Sequence, residues 1–280
     1  MTTDDFREQS RQTWDAVAPG WEARDAFLEA NMGVLSEWIV TRVAPTPGDI
    51  VLDLGAGPGD LGHRFADLVA PHGTVISTDF SARMVDVARR LGTDRGLTNV
   101  EYRQLDAEDM ALDDDSVDAI VARAVLMLVS DPVAAFAESR RVLRPGGSLA
   151  FTVFSTADRN PWAAIPAAVL VRAGHLERPR AGAPGVFSLG DAERLRHLVA
   201  DAGFTDIEID EVDVAFHYRN ADDAWNAIGD LNGPLAATIA DLSDDERATT
   251  RRAVLDGYQP FRHPDGSFPV PGHAVAVHAR

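Results

Sequence analysis

From Asp49 onward the chain alternates short β-branched runs with amphipathic helical stretches: DIVLDLG, DLGHRFADLVA, TVISTD, SARMVDVARRLG, VEYRQLD, VDAIVARA, a helix from about Pro132 to Leu143, then SLAFTVF. Few folds accept that rhythm. Strand, helix, strand implies parallel strands joined by right-handed crossovers, with helices on both faces of one sheet. Gly146 and Gly147 are expected to cap the helix that precedes the last of these strands.

The flanks read differently. Two helices precede the alternation, one from about Asp4 to Ala18, ended by Pro19-Gly20, and one carrying Leu28, Met32, Leu35 and Ile39 at helical spacing. Beyond Phe154, NPWAAIPAAVLVRAGHL reads as an inserted helix and RPRAGAPG as a mobile loop. A helix with Leu195, Leu198 and Val199 leads into the strand FTDIEIDEVDVAF. SDDE at Ser243–Glu246 is a capping box opening a further helix, and the chain closes on a turn and a strand. The expected organisation is an N-terminal helical lid over 1–45, an α/β core over 46–155, and the remainder of the core with inserted cap helices over 156–280.

Composition removes several functions. Acidic residues outnumber basic ones by 44 to 26, which disfavours nucleic acid and anionic membranes as partners. All 26 basic residues are Arg, so lysine Schiff bases and the P-loop lysine are unavailable. With no Cys there is no thiolate nucleophile and no Cys-ligated metal. The acidic start is wrong for a secretory signal, and Arg123 and Pro166 interrupt the two longest apolar runs, so a soluble cytoplasmic protein is expected. Asp113–Asp115 reads as a solvated turn rather than a metal site.

The loop after the first strand is where an open α/β sheet binds its ligand. Gly55, Gly57 and Gly59 let the main chain approach closely, and the following helix offers free N–H groups. Asp79, at the end of the second strand, can accept both hydroxyls of a ribose; Asp106, after the third, can accept from an exocyclic amine. Together they describe an adenosine pocket. The glycine spacing is G-x-G-x-G, with Asp60 where the third glycine of a dinucleotide fingerprint belongs, and a carboxylate there would repel a pyrophosphate. Arg123, a charge inside an apolar run, reads either as a cation for a ligand carboxylate or as a structural salt bridge.

These segments resemble the class I S-adenosylmethionine-dependent methyltransferases, in particular the small-molecule group that includes ubiquinone and menaquinone biosynthesis enzymes. VLDLGAGPG is similar to the family's first motif, TDFSARMVDVAR to its second strand and helix, LDAED to its adenine edge, and VDAIVARAVLMLVSDP followed by VLRPGG to its fourth-strand segment. The resemblance implies a Rossmann-like seven-stranded sheet, mostly parallel with its last strand antiparallel, and S-adenosyl-L-methionine as cofactor. It places Asp53 near the methionine end, Ala56 in the glycine loop, Phe80 and Met84 beside the adenine, and the Ala107 N–H at the adenine edge. Met127 and Leu128 stand where the family often has His, which favours a hydrophobic acceptor methylated on O, N or C. Trp21 and Trp162 are expected to line its cavity with Met127 and Tyr218, and His217 is the preferred general base. His63 reads as either a contact to the methionine moiety or a structural residue. The alternatives are a non-catalytic cofactor-binding module and an NAD-dependent oxidoreductase.

Overall fold

The computed structural model describes residues 3–180 and 182–280, so Ala181 of the RPRAGAPG loop and the first two residues lie outside it. In chain order the elements are α1 (Thr3–Ala23), α2 (Asp25–Val43), β1 (Ile50–Leu54), α3 (Asp60–Val69), β2 (Thr74–Asp79), α4 (Ala82–Asp94), β3 (Val100–Gln104) and β4 (Val117–Arg123). They continue with α5 (Pro132–Val142), β5 (Leu143–Phe154), α6 (Pro161–Arg172), α7 (Ala192–Asp201), β6 (Glu208–Tyr218), α8 (Ala221–Leu231), α9 (Gly233–Ala240), α10 (Asp244–Tyr258) and β7 (Phe268–Ala279). The strands form one sheet in the order β3-β2-β1-β4-β5-β7-β6. Only β7 runs antiparallel to its neighbours. The order reverses between β1 and β4, which opens a crevice at the carboxyl ends of those two strands.

The central strands are buried on both faces, so they read as continuous apolar runs: Val51, Leu52, Ile120, Val121, Leu149 and Phe151 are each fully enclosed. Pro269 and Pro271 are tolerated inside β7 because that part of the strand pairs with β6 alone; pairing with β5 begins at Ala274. Leu28, Met32, Leu35 and Ile39 fix α2 on the sheet, all four buried as their spacing predicts. No helix among the described residues is long and apolar enough to cross a membrane.

Two expectations about element ends are corrected. The first helix does not stop at Pro19-Gly20 but runs through both to Ala23. Pro19 gives up one internal hydrogen bond, while Gly20 lies against the Asp230 backbone of α8, where a Cβ would collide. Gly146 and Gly147 do not cap α5. That helix ends at Val142, its last turn closed by the Leu143 N–H to Ser139 O, and the glycines sit in a bulge that shifts the β4–β5 register between Val117 and Ala119. The Ser243–Glu246 capping box is present: the Ser243 N–H donates to Glu246 Oε2 at 3.0 Å, and the Glu246 N–H donates back to Ser243 Oγ.

Helix α1 bridges two parts of the molecule. Ser81 Oγ, the cap of α4, donates to Asp15 Oδ1 at 2.6 Å. At the other end Arg24 donates to Asp230 Oδ2 at 2.6 Å and to Asp223 Oδ1 at 3.0 Å, both on α8. The helix therefore lies across the crevice mouth.

Candidate active site

Two cavities meet beneath α1. The first lies at the crevice between β1 and β4; the second lies under α6 and α8. Trp14, Trp21, Met32, Ala124 and Leu128 line both and so form the wall that the two cavities share. Ala124 directly follows β4 and holds φ at 58°, a left-handed conformation that a non-glycine residue keeps only where its surroundings impose it.

The first cavity is lined by Asp53, Gly55, Ala56, Gly57, Asp79, Phe80, Met84, Asp106, Ala107 and Arg123, all named above from sequence. Gly59 does not line it: a Cβ there would press on the His63 ring and Ala88, so this glycine serves helix packing. Gly57, at φ 56°, faces the lid, where a Cβ would reach the Trp21 ring at 3.4 Å. The loop's shape is fixed from below. The Ala56 N–H donates to Thr78 O at 2.8 Å, and the Gly57 N–H to Asp79 Oδ2 at 3.0 Å. Asp79 Oδ1 accepts the Ser81 N–H at 2.8 Å, so both carboxylate oxygens are oriented before any ligand arrives. Removal from water raises the Asp79 pKa to about 6, against the opposing pull of the Ser81 and Gly57 N–H groups.

Asp53 ends up buried with Oδ2 lacking any hydrogen-bond partner. Desolvation raises its pKa to about 8 and the neighbouring Asp60 adds to this; Arg123 and the Gly62 N–H offset part of it. The Oδ2 atom is enclosed and lies toward Gly62 of α3, so burying it as an ionised group is costly, which is why the carboxyl holds its proton. The unfolded chain ionises this group near 3.8, whereas the folded protein keeps the proton to about pH 8, so the fold holds more protons throughout that window. Stability contributed by Asp53 is thus fully present below about pH 4 and lost as pH rises toward 8. Asp53→Asn should raise the melting temperature relative to the parent more at pH 8 than at pH 5; a difference independent of pH would contradict this assignment.

Arg123 proves to be the salt bridge of its two readings. Its guanidinium grips Asp60 with two hydrogen bonds of 2.5 and 2.6 Å and donates to Ser36 Oγ at 2.7 Å. The two side chains are only 6% and 9% exposed. Because Asp60 is neutralised in this way, the repulsion it was expected to exert on a pyrophosphate loses its basis. Asp106 sits two residues beyond β3 in a tight turn, where Oδ1 accepts the Glu108 N–H at 2.9 Å and Oδ2 pairs with Arg7 of α1. Arg7, with Phe6 and Ser10 of the same helix, lines the first cavity beside Asp106. Sequence reading missed all three, because an exposed helix carries no local signal for what it covers.

The second cavity contains the four residues expected to meet an acceptor: Trp21, Met127, Trp162 and Tyr218. To these the structure adds Phe27, Phe154 and Phe216 among its walls, and among the described residues no Asp, Glu, His or Arg lines it. His217 is not there. Along β6, Phe216 and Tyr218 point inward and His217 points out, exposed, with its N–H bonded to Asn31 Oδ1 at 2.7 Å. Strand alternation decides this, and the choice of His217 as base is corrected accordingly. His63 is buried against the Tyr102 hydroxyl at 3.0 Å, with a pKa lowered to about 4 chiefly by desolvation, and lines neither cavity.

The arrangement agrees with known proteins. Residues 45–175 match the family described as a methyltransferase domain. The ubiquinone/menaquinone biosynthesis C-methyltransferase UbiE of Francisella philomiragia is 31% identical over 191 residues, which cover 64% of this chain and 76% of that one. Its counterpart from Coxiella burnetii is 29% identical over 221 residues, covering 74% and 88%. Among solved structures, the [4+2]-cyclase SpnF superposes with a TM-score of 0.55 at 25% identity, covering 88% of this chain and 80% of that one. Phosphoethanolamine N-methyltransferase 2 of Haemonchus contortus superposes with a TM-score of 0.61 at 18% identity, covering 100% and 60%, and shares the fold. A relative 31% identical, matched over 76% of its own length, and the methyltransferase domain over residues 45–175 show the family: the chain belongs to the class I S-adenosylmethionine-dependent methyltransferases.

Proposed function

We propose that the first cavity holds S-adenosylmethionine through Asp79 at the ribose, Asp106 and the Ala107 N–H at the adenine edge, Phe80 and Met84 against the base, and Asp53 at the methionine end. The second cavity then receives an uncharged, apolar small molecule as methyl acceptor. The observation that carries this reading is the contrast between two adjoining cavities, one lined by four acidic residues (Asp53, Asp79, Asp106 and Glu108) and a bare main-chain loop, the other with no charged residue among the described ones.

When bound, the cofactor supplies a methyl group on a positively charged sulfur, already activated for displacement. What the chain contributes is alignment and exclusion of water. Asp79 holds Gly57 and Ser81 in place, and Trp21, fixed by its indole N–H to Leu231 O at 3.0 Å, sets the wall between cofactor and acceptor. Such pre-alignment is worth effective molarities of up to about 10⁵ M or more in well-oriented systems. The absence of a base in the second cavity disfavours acceptors that must lose a proton to a side chain before attack. An uncharged amine lone pair meets the requirement directly, and a ring carbon activated by an attached oxygen meets it when the ring proton, released only after the methyl group has arrived, passes to water; the C-methylation named for the UbiE relatives supports carbon.

Incubation with methyl-labelled cofactor and matched pairs of neutral and carboxylate-bearing aromatic acceptors tests this. Label should pass to the neutral member at least about 100-fold faster in kcat/KM, since an unpaired carboxylate in an apolar cavity costs several kcal/mol. Preference for the charged member would overturn the proposal.

A further inference from the structure

We infer that the Tyr218 hydroxyl is the hydrogen-bonding anchor of the second cavity, donating to a ring oxygen of an aromatic methyl acceptor. The inference rests on the reading of that cavity as the acceptor site. Tyr218 ends β6, lines the cavity and is 4% exposed, yet its hydroxyl makes no hydrogen bond with any described residue. Buried polar groups without a partner are rare, and one on a cavity wall asks for a partner from the cavity.

Its neighbours are already engaged. The Trp162 indole N–H donates to Asn160 Oδ1 at 3.1 Å, and the Tyr258 hydroxyl donates to Trp162 O at 2.6 Å. Asn232 spends its side-chain oxygen capping α9, accepting the Leu235 N–H at 3.3 Å. The nearest cation, Arg24, is committed to Asp223 and Asp230. The Tyr218 ring packs near-parallel to two neighbours, Phe27, centroids 5.6 Å apart at 21°, and Tyr258, 6.2 Å apart at 12°. Packed against both and buried, the hydroxyl has little freedom to lose when a ligand arrives. Burial pushes the phenol pKa up, so the group donates a hydrogen bond and does not accept a proton at physiological pH. A cavity walled mainly by apolar surface and rings, in which the Tyr218 hydroxyl is a donor held in place, selects a flat ring bearing an acceptor oxygen over the same ring without it.

Quenching of tryptophan emission reads occupancy directly, because Trp14, Trp21 and Trp162 all line the cavity. The parent protein, saturated with S-adenosylhomocysteine, and its Tyr218→Phe variant are titrated with 2-naphthol and with naphthalene. We expect the parent to bind 2-naphthol about 3- to 10-fold tighter than naphthalene, the gain of one net hydrogen bond. In Y218F that ratio should fall to near one, with naphthalene affinity changed less than about 3-fold. Retained discrimination in Y218F, or none in the parent, would overturn the anchor while leaving the acceptor cavity intact. If neither probe binds the parent, the acceptor-cavity reading falls and the anchor falls with it.

Discussion

Arg123→Ala should destabilise the protein by about 3–5 kcal/mol, read as a fall in the urea midpoint at unchanged m-value. The size of the loss comes from what stays behind. Asp60 opens α3 directly beneath the glycine loop with its side chain 9% exposed, and its charge is answered by the two Arg123 hydrogen bonds. Removing the guanidinium strands that carboxylate beside Asp53, whose pKa Asp60 already raises, and unlinks Ser36 of α2 from the end of β4. Replacing both partners together, Arg123→Met with Asp60→Leu, should recover most of the loss, since a buried pair exchanged for apolar groups is often neutral. An R123A variant as stable as the parent would mean that the pair contributes nothing to holding β4, α2 and α3 together.

The second large effect falls on the cofactor. Asp79→Ala should weaken S-adenosylhomocysteine binding by about 1.5–3 kcal/mol, roughly 10- to 150-fold, if the carboxylate holds both ribose hydroxyls. The same residue fixes the Gly57 and Ser81 N–H groups, so Asp79→Asn, which keeps one acceptor oxygen, should fall between the two. Because the Asp79 pKa is raised to about 6, the ionised form needed for charged hydrogen bonds is lost below that pH, and affinity in the parent should decline as pH falls through 6. Unchanged affinity in a folded D79A protein would reject the ribose assignment.

How far the sequence disclosed this site depends on whether a residue's role was local. Gly57 and Asp79 were legible because strand ends and the loops after them carry chemistry at fixed offsets, and the structure joins the two by one hydrogen bond. Trp21 and Trp162 were legible only as aromatic residues outside the core strands, and they meet in one cavity through contacts that span the chain. His217 was chosen for its chemistry against its position: the same alternation that sends Phe216 and Tyr218 inward sends it out. Gly20 shows the converse. Beside Pro19 it resembles a helix stop, but its need is tertiary, a close approach to the Asp230 backbone that nothing in the neighbouring residues announces. Arg7 reaches Asp106 at the first cavity by virtue of where α1 crosses the crevice, and a lone Arg on a helix gives no hint of it.

The central claim is that the main chain after β1, with the carboxylates of Asp79 and Asp106, receives an adenosine without phosphates. Calorimetric titration of the full chain at pH 8 with S-adenosylhomocysteine and, separately, with NAD tests it most directly. The account predicts saturable one-to-one binding of S-adenosylhomocysteine and no measurable heat with NAD. Saturable binding of NAD, with none of S-adenosylhomocysteine, would contradict it.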